Sequence, residues 1–244
     1  MKPTNKPVVS SGIGKLFVAI LVFVVVFGGW LSFRYVASVR EAREPLPEIG
    51  GKREACMLWF IGSSSMRNWT TLATDMAPWD ARNRGIGGAT MDEITSRFEN
   101  ETPGPLPRAI IYYAGENDIA FGVSAEQAIA QLRAFIAAKR RRMGQLPLLL
   151  MSLKPSPTRW DDRPTQASYN AAARRIAETE QDIGYIDIVP SLLIDGKPGP
   201  FYVDDGIHMN AAGYAMWAAA IRSALPRELP LPILRQCGVT AGKT

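Results

Sequence analysis

The hydrophobic positions of this chain fall into three regimes. Residues 16–33 read LFVAILVFVVVFGGWLSF, 18 residues without a charge, closed by Lys15 and Arg34. An uncharged run of that length meets the requirement for one membrane crossing. Residues 37–55 are charged and carry Pro45, Pro47, Gly50 and Gly51, the composition of a juxtamembrane linker. From residue 56 onward, short apolar runs alternate with helical patterns. Runs at 56–61 (CMLWFI), 80–86, 109–114 (AIIYYA), 146–153 (LPLLLMSL) and 185–189 predict five strands. Between them, Thr90-Met91-Asp92-Glu93 and Ser124-Ala125-Glu126-Gln127 have capping-box spacing. Ile129, Leu132 and Ile136 form an apolar stripe on one expected helix, and Tyr214, Trp217, Ala218 and Ile221 on another. The alternation predicts an α/β domain whose parallel sheet is covered by helices on both faces.

The expected organisation is a short tail at 1–15, a transmembrane anchor at 16–36, a linker at 37–55, one globular domain at 56–226 and a C-terminal tail at 227–244. Lys2, Lys6 and Lys15 precede the apolar run, and Trp30 and Tyr35 stand where interfacial aromatics are common. The tail before the run is short and carries no acid, which favours a single-pass topology with the amino terminus inside and the domain outside the cytoplasm (periplasmic). A cleaved signal peptide is the competing reading, but no clean small-residue cleavage site follows Phe33.

Composition narrows the function. Of 244 residues, 47% are hydrophobic and 21% charged, which excludes a disordered chain. The net charge is +5, and Lys139-Arg140-Arg141-Arg142 reads as a solvated helix end that favours the dipole. No nucleic-acid motif accompanies the charge, so no nucleic-acid partner is inferred. Cys56 and Cys237 lack metal-type spacing. Cys56 opens an expected central strand, so a buried free thiol is expected ahead of a Cys56–Cys237 pair. The chain has one histidine, which excludes a histidine-rich metal site.

The chemistry-bearing residues follow the strands. Gly62-Ser63-Ser64-Ser65 ends the first, Asn83-Arg84-Gly85-Ile86-Gly87-Gly88 the second, and Gly115-Glu116-Asn117-Asp118 the third. Asp205-Gly206-Ile207-His208 precedes a helix. In a parallel sheet these lie on one rim, where ligand sites form. Acyl transfer needs a nucleophile, a base, an orienter for that base and donors for the oxyanion. A serine at a strand-to-helix turn, Asp205 three residues before His208, a backbone N–H at Gly88 and the amide of Asn117 supply each. Lys154-Pro155-Ser156-Pro157-Thr158-Arg159-Trp160 follows the fourth strand, so Lys154 and Trp160 are candidates for shaping a substrate pocket on the same rim, with a rigid packed loop as the alternative.

The order G-[DS]-S, N-x-G-x-x-G, G-x-N-D and D-x-x-H resembles the blocks of the SGNH (GDSL-like) hydrolases. GSSS, YAGENDIA and KPSPTRW resemble one esterase branch of it, and the similarity spans residues 58–217. The resemblance implies a three-layer flavodoxin-like fold and a serine esterase. It implies Ser64 as nucleophile, His208 as base, Asp205 as its orienter, and Ser64 N–H, Gly88 and Asn117 as the oxyanion hole. No metal or organic cofactor is implied. The first block departs in having Ser63 where the family has Asp, which leaves Ser63 or Ser65 as fallback nucleophiles. Carbohydrate acetyl esters, lysophospholipids and thioesters are all admissible substrates. An acyltransferase acting on envelope carbohydrate is the alternative to hydrolysis. The absence of a long apolar insertion that could cover an acyl chain points to short-chain esters.

Overall fold

The structure, a computed structural model, describes residues 11–42, 44–50 and 54–239. The chain divides into two units, 1–44 and 45–244. Among its described residues the first contains one helix, α1 (Ser11–Ala42). Its segment Leu16–Arg34 is 19 residues long with a mean hydropathy of 2.6 and no buried residue, so it is long and apolar enough to span a bilayer. Lys2 and Lys6 lie outside the described residues.

The second unit is built on five parallel strands, β1 (Met57–Gly62), β2 (Asp80–Gly85), β3 (Ala109–Tyr113), β4 (Leu148–Met151) and β5 (Ile183–Ile186), in the order β2-β1-β3-β4-β5. All five expected strands are present. The fifth starts two residues earlier than its apolar pattern suggests, because Leu148–Met151 pairs residue by residue with Ile183–Ile186. The strands of β1, β3 and β4 are buried at every position, as expected of a sheet covered on both faces.

The connecting helices are α2 (Ser64–Arg67), α3 (Leu72–Asp75), α4 (Met91–Glu99), α5 (Glu116–Ala120), α6 (Ala125–Met143), α7 (Arg163–Thr179), α8 (Val189–Leu192), α9 (Ala211–Glu228) and α10 (Leu231–Gln236). Ser124 and Gln127 complete the capping box of α6, and Thr90 caps α4 by accepting the Glu93 N–H. The stripes on α6 and α9 are core: Leu132, Ile136, Trp217 and Ile221 are buried.

Four expectations differ from the structure. Residues 45–49 are not free linker. Leu46 is 3% exposed, its N–H donates to Glu101, and Arg84 donates to the Leu46 and Pro47 carbonyls. Ile49 forms an antiparallel bridge with Asn83. The charged composition hid one apolar residue whose burial docks the segment. The Lys139–Arg142 cluster ends α6 as expected and Arg141 and Arg142 are exposed, but its first member is not solvated. Lys139 is fully buried against Asp182 at 2.5 Å, and Arg140 pairs with Asp182 and Glu180. Arg141 pairs with Glu99, and Arg142 donates to the Glu99 and Glu101 carbonyls.

The chain past residue 226 adds α10, whose Leu234 is buried. Cys56 is not a buried free thiol. It precedes β1 in a 3-10 turn, and α10 brings Cys237 to it at a Cα–Cα distance of 5.5 Å, forming a disulfide. The strand begins one residue later than its apolar run, so Cys56 stands at the sheet's end rather than within it.

Candidate active site

The strand ends deliver the site. Gly62 closes β1, and α2 starts at Ser64. Helix and strand approach so closely that a side chain at Gly85 on β2 would meet the Arg67 backbone at 2.3 Å. Asn83 holds the same turn: its amide donates to the Met66 carbonyl at 2.7 Å and accepts the Gly85 N–H. From the other side, Tyr214 on α9 donates to the Ser65 carbonyl at 2.8 Å and stacks on Trp69. Ser63 and Ser65 are buried by this packing, whereas Ser64 is only half-buried.

Ser64 Oγ lies 2.8 Å from His208 Nε2, and His208 Nδ1 lies 2.6 Å from Asp205 Oδ2. The histidine comes from 144 residues away in sequence, positioned by a tight turn before α9. Within that turn, Asp205 Oδ1 accepts the backbone N–H groups of Ile207 and His208. Partial desolvation pushes the Asp205 carboxyl up. The bonds from the His208 ring and the two backbone N–H groups outweigh it and hold the pKa at about 2. Asp205 therefore remains anionic across the neutral range and can stabilise an imidazolium. Its side chain is 44% exposed and that of His208 26%, so the site is open to solvent.

Gly88 follows β2 with φ +74°, and nothing lies within 4 Å of where its Cβ would stand. A glycine adopts this left-handed conformation without strain and leaves room for a ligand at its backbone. Asn117, on the first turn of α5, is buried and donates from Nδ2 to the Ala89 carbonyl at 2.9 Å. That bond seats the amide beside the Ala89–Thr90 peptide, one residue past Gly88, and leaves a second Nδ2–H unspent. Asp118 accepts the Met91 N–H with both oxygens, tying α5 to the start of α4. Burial raises its pKa.

The 153–160 segment joins these parts. Thr158 Oγ1 donates to the Asp205 carbonyl at 2.6 Å, and Arg159 Nη1 donates to Asn117 Oδ1 at 3.0 Å. Lys154, a candidate for shaping a pocket with a packed loop as the alternative, is fully buried, and its ammonium lies 2.7 and 2.8 Å from the two carboxylate oxygens of Glu116. Burial pulls the Lys154 pKa down. Trp160 is half-buried, carries the Arg163 guanidinium 4.2 Å over its ring, and lines a cavity of about 330 Å³ with Leu153 and Pro155. Sequence reasoning missed Arg159 and Glu116 as neighbours of the site. Both stood in the quoted blocks, but a charged residue in a loop carries no local signal of its partner. A larger cavity of about 700 Å³ opens beside β1 and β2, lined by Met57 and Trp59 of the first and by Arg82 and Arg84 of the second. Arg82, Arg84, Arg141 and Arg142 line it, but each is held by an acid or a backbone carbonyl, so its size does not mark a site. Among the described residues no group of three or more potential ligands gathers as a metal site.

A serine hydrogen-bonded to an imidazole that is itself held by a carboxylate can transfer acyl groups. Residues 59–216 match the model of the GDSL-like Lipase/Acylhydrolase family. Among curated proteins none matches the chain. Solved structures share the fold. A GDSL-like lipase from Bacteroides thetaiotaomicron is 20% identical, with 79% of this chain and 96% of that one covered and a TM-score of 0.61. A member of the lipolytic protein G-D-S-L family from Veillonella parvula is 17% identical, covering 70% and 98%, with a TM-score of 0.61. An acetyl-xylooligosaccharide esterase from Geobacillus Stearmophilus, solved as a mutant, is 19% identical, covering 81% and 100%, with a TM-score of 0.56.

Proposed function

This chain belongs to the GDSL-like lipase/acylhydrolase family, and on that premise we propose that it is a serine esterase cleaving short-chain carboxylic esters through an acyl-enzyme at Ser64. The observation that carries the reading is the continuous chain Ser64 Oγ–His208 Nε2–Asp205, at 2.8 and 2.6 Å.

In the proposed reaction the Ser64 oxygen adds to the acyl carbonyl as its proton passes to His208 Nε2. Asp205 holds Nδ1–H and stabilises the imidazolium. The oxyanion is met by the N–H groups of Ser64 and Gly88 and the unspent Nδ2–H of Asn117. Collapse expels the alcohol, which takes the proton from His208. Water then adds to the acyl-enzyme, giving a proton to His208, and the acid leaves as Ser64 regains its hydrogen. Electrostatic stabilisation by preorganised donors is usually the largest single contribution in such a cycle.

The exposure of Asp205 and His208 supports a shallow, open site that buries few methylenes, at roughly 0.8 kcal/mol each. The fold shared with an acetyl-xylooligosaccharide esterase favours small acyl groups on carbohydrate or other small alcohols. The exposed apolar helix and the disulfide together support an anchored domain in an oxidising, extracytoplasmic compartment. The test is fluorophosphonate labelling with Ser64→Ala as control, followed by catalytic efficiency across p-nitrophenyl esters of two to sixteen carbons. Labelling lost in Ser64→Ala and efficiency highest for the shortest esters are expected. Labelling that persists in Ser64→Ala but vanishes in Ser63→Ala moves the nucleophile, and efficiency that climbs with chain length replaces the esterase reading with a lipase.

A further inference from the structure

The buried charges beside the site have no part in the reaction above. Glu116 immediately precedes Asn117, is 2% exposed and accepts from Tyr113 Oη at 2.6 Å as well as from Lys154 Nζ. A carboxylate gripped by three such contacts is fixed in place, since breaking any one leaves a buried group unpaired. Arg159 meets this fixed anion: its Nη1 lies 3.5 Å from Glu116 Oε1 and 3.0 Å from Asn117 Oδ1. The side chain of Arg159 is 18% exposed, so its guanidinium is mostly withdrawn from water.

An asparagine amide can be turned over at little intrinsic cost, exchanging its oxygen and nitrogen. Here the two neighbours exclude the exchange. A turned amide would set Nδ2–H against the Arg159 donors and Oδ1 against the Ala89 carbonyl. The Ala89 carbonyl accepts only from Nδ2 and the Arg159 cation donates only to Oδ1, so the two contacts fix the same orientation from opposite ends of the amide. A charged donor on Oδ1 also draws electron density from the amide, which strengthens its N–H groups as donors, since hydrogen bonds in series polarise one another.

We propose that Arg159 is a positioning residue of the oxyanion hole, held by the buried Lys154–Glu116 pair so that its guanidinium orients and polarises the Asn117 amide toward the developing oxyanion. The proposal rests on the reading of Asn117 as an oxyanion donor. It assigns the Lys154–Glu116 pair a purpose: to carry a fixed negative charge under a loop arginine that must not wander. Nη1 alone makes both contacts, so lysine at 159 would keep the charge but would have to bring a compact ammonium on a flexible stem to the place that the rigid guanidinium holds between Glu116 and Asn117.

The experiment is a double-mutant cycle on the full chain in detergent, with p-nitrophenyl acetate, reading kcat and KM separately for Arg159→Ala, Arg159→Lys, Asn117→Ala and the Arg159→Ala/Asn117→Ala pair. Arg159→Ala is expected to lower kcat about 10- to 100-fold with KM little changed, short of the roughly 10²–10³ for losing the donor itself. Arg159→Lys should recover part of that loss, as should guanidinium ion added to Arg159→Ala. In the Asn117→Ala background, Arg159→Ala should cost less than about twofold, because its target is gone. Thermal melting of each variant checks that the domain is folded; Glu116 keeps Lys154 and Tyr113 when Arg159 is removed. Equal losses in both backgrounds, or a KM increase at unchanged kcat, would show that Arg159 touches the substrate itself and overturn the proposal. Normal turnover of Asn117→Ala would overturn the oxyanion reading, and the proposal with it. Slow Asn117→Ala with additive losses sinks the proposal alone.

Discussion

Replacing Cys56 and Cys237 by serine tests how the domain is closed. The disulfide spans 181 residues, nearly the whole folded unit. In the chain-entropy picture the unfolded chain loses about 2.1 + 1.5R ln n cal/mol/K on cross-linking. For a loop of this length that amounts to roughly 5 kcal/mol at 25 °C, at the upper end of the 2–5 kcal/mol seen when native disulfides are removed. The folded state loses little in exchange. Cys56 is half-buried in a turn, and α10 keeps Leu234 in the core without the bond. With a urea m-value near 3 kcal/mol/M for a unit this size, the midpoint should fall by about 1–2 M. The assay is equilibrium urea unfolding of residues 45–244, oxidised against reduced, and of the double serine variant. Reduced wild type and the serine variant should coincide. A midpoint unmoved by reduction, or two free thiols titrated in protein drawn from an oxidising compartment, would refute the closure.

Asn117→Ala should leave a folded enzyme about 10²–10³ slower in kcat, measured with p-nitrophenyl acetate, because an oxyanion donor is lost while the Ala89 carbonyl turns to solvent. Asp182 predicts an acid-sensitive contribution to stability. Bonds from Arg140, with further help from Lys139, overcome its burial and hold its pKa at about 2, below the ordinary 3.8. A depressed carboxyl stabilises the fold above its unfolded pKa and loses that contribution as pH falls through the folded one. Roughly 2 kcal/mol should therefore disappear between about pH 4 and pH 2. Asp182→Asn should lower the urea midpoint at pH 7 and much less at pH 2.5; a gap constant with pH rules the linkage out. Membrane fractionation should recover the full chain in the pellet, resistant to alkaline carbonate; a soluble form beginning after Phe33 would show that the apolar helix is a cleaved signal.

The positions of the five strands were legible along the chain because each is recorded locally. A strand covered on both faces favours an apolar run and a strand end favours glycine, so period marked the strands, whereas the proposed triad of Ser64, Asp205 and His208 came from the resemblance of four blocks taken together, not from the spacing of any one. Even the burial of α6 and α9 was written in their stripes. The residues that tertiary structure alone assigned share a different property. Lys139, Lys154, Glu116 and Arg159 are charged residues whose partners lie 38 to 43 positions away, and nothing in their neighbourhoods marks them for burial. A charge is buried only when an opposite charge arrives from another element, and that arrival depends on the sheet order β2-β1-β3-β4-β5. The same holds for Leu46, concealed in a charged segment, and for Cys56, whose pairing required α10 to return to the start of β1. Local pattern determines where the backbone is buried. Which polar groups may be buried with it is decided by the partners that the completed sheet brings within reach.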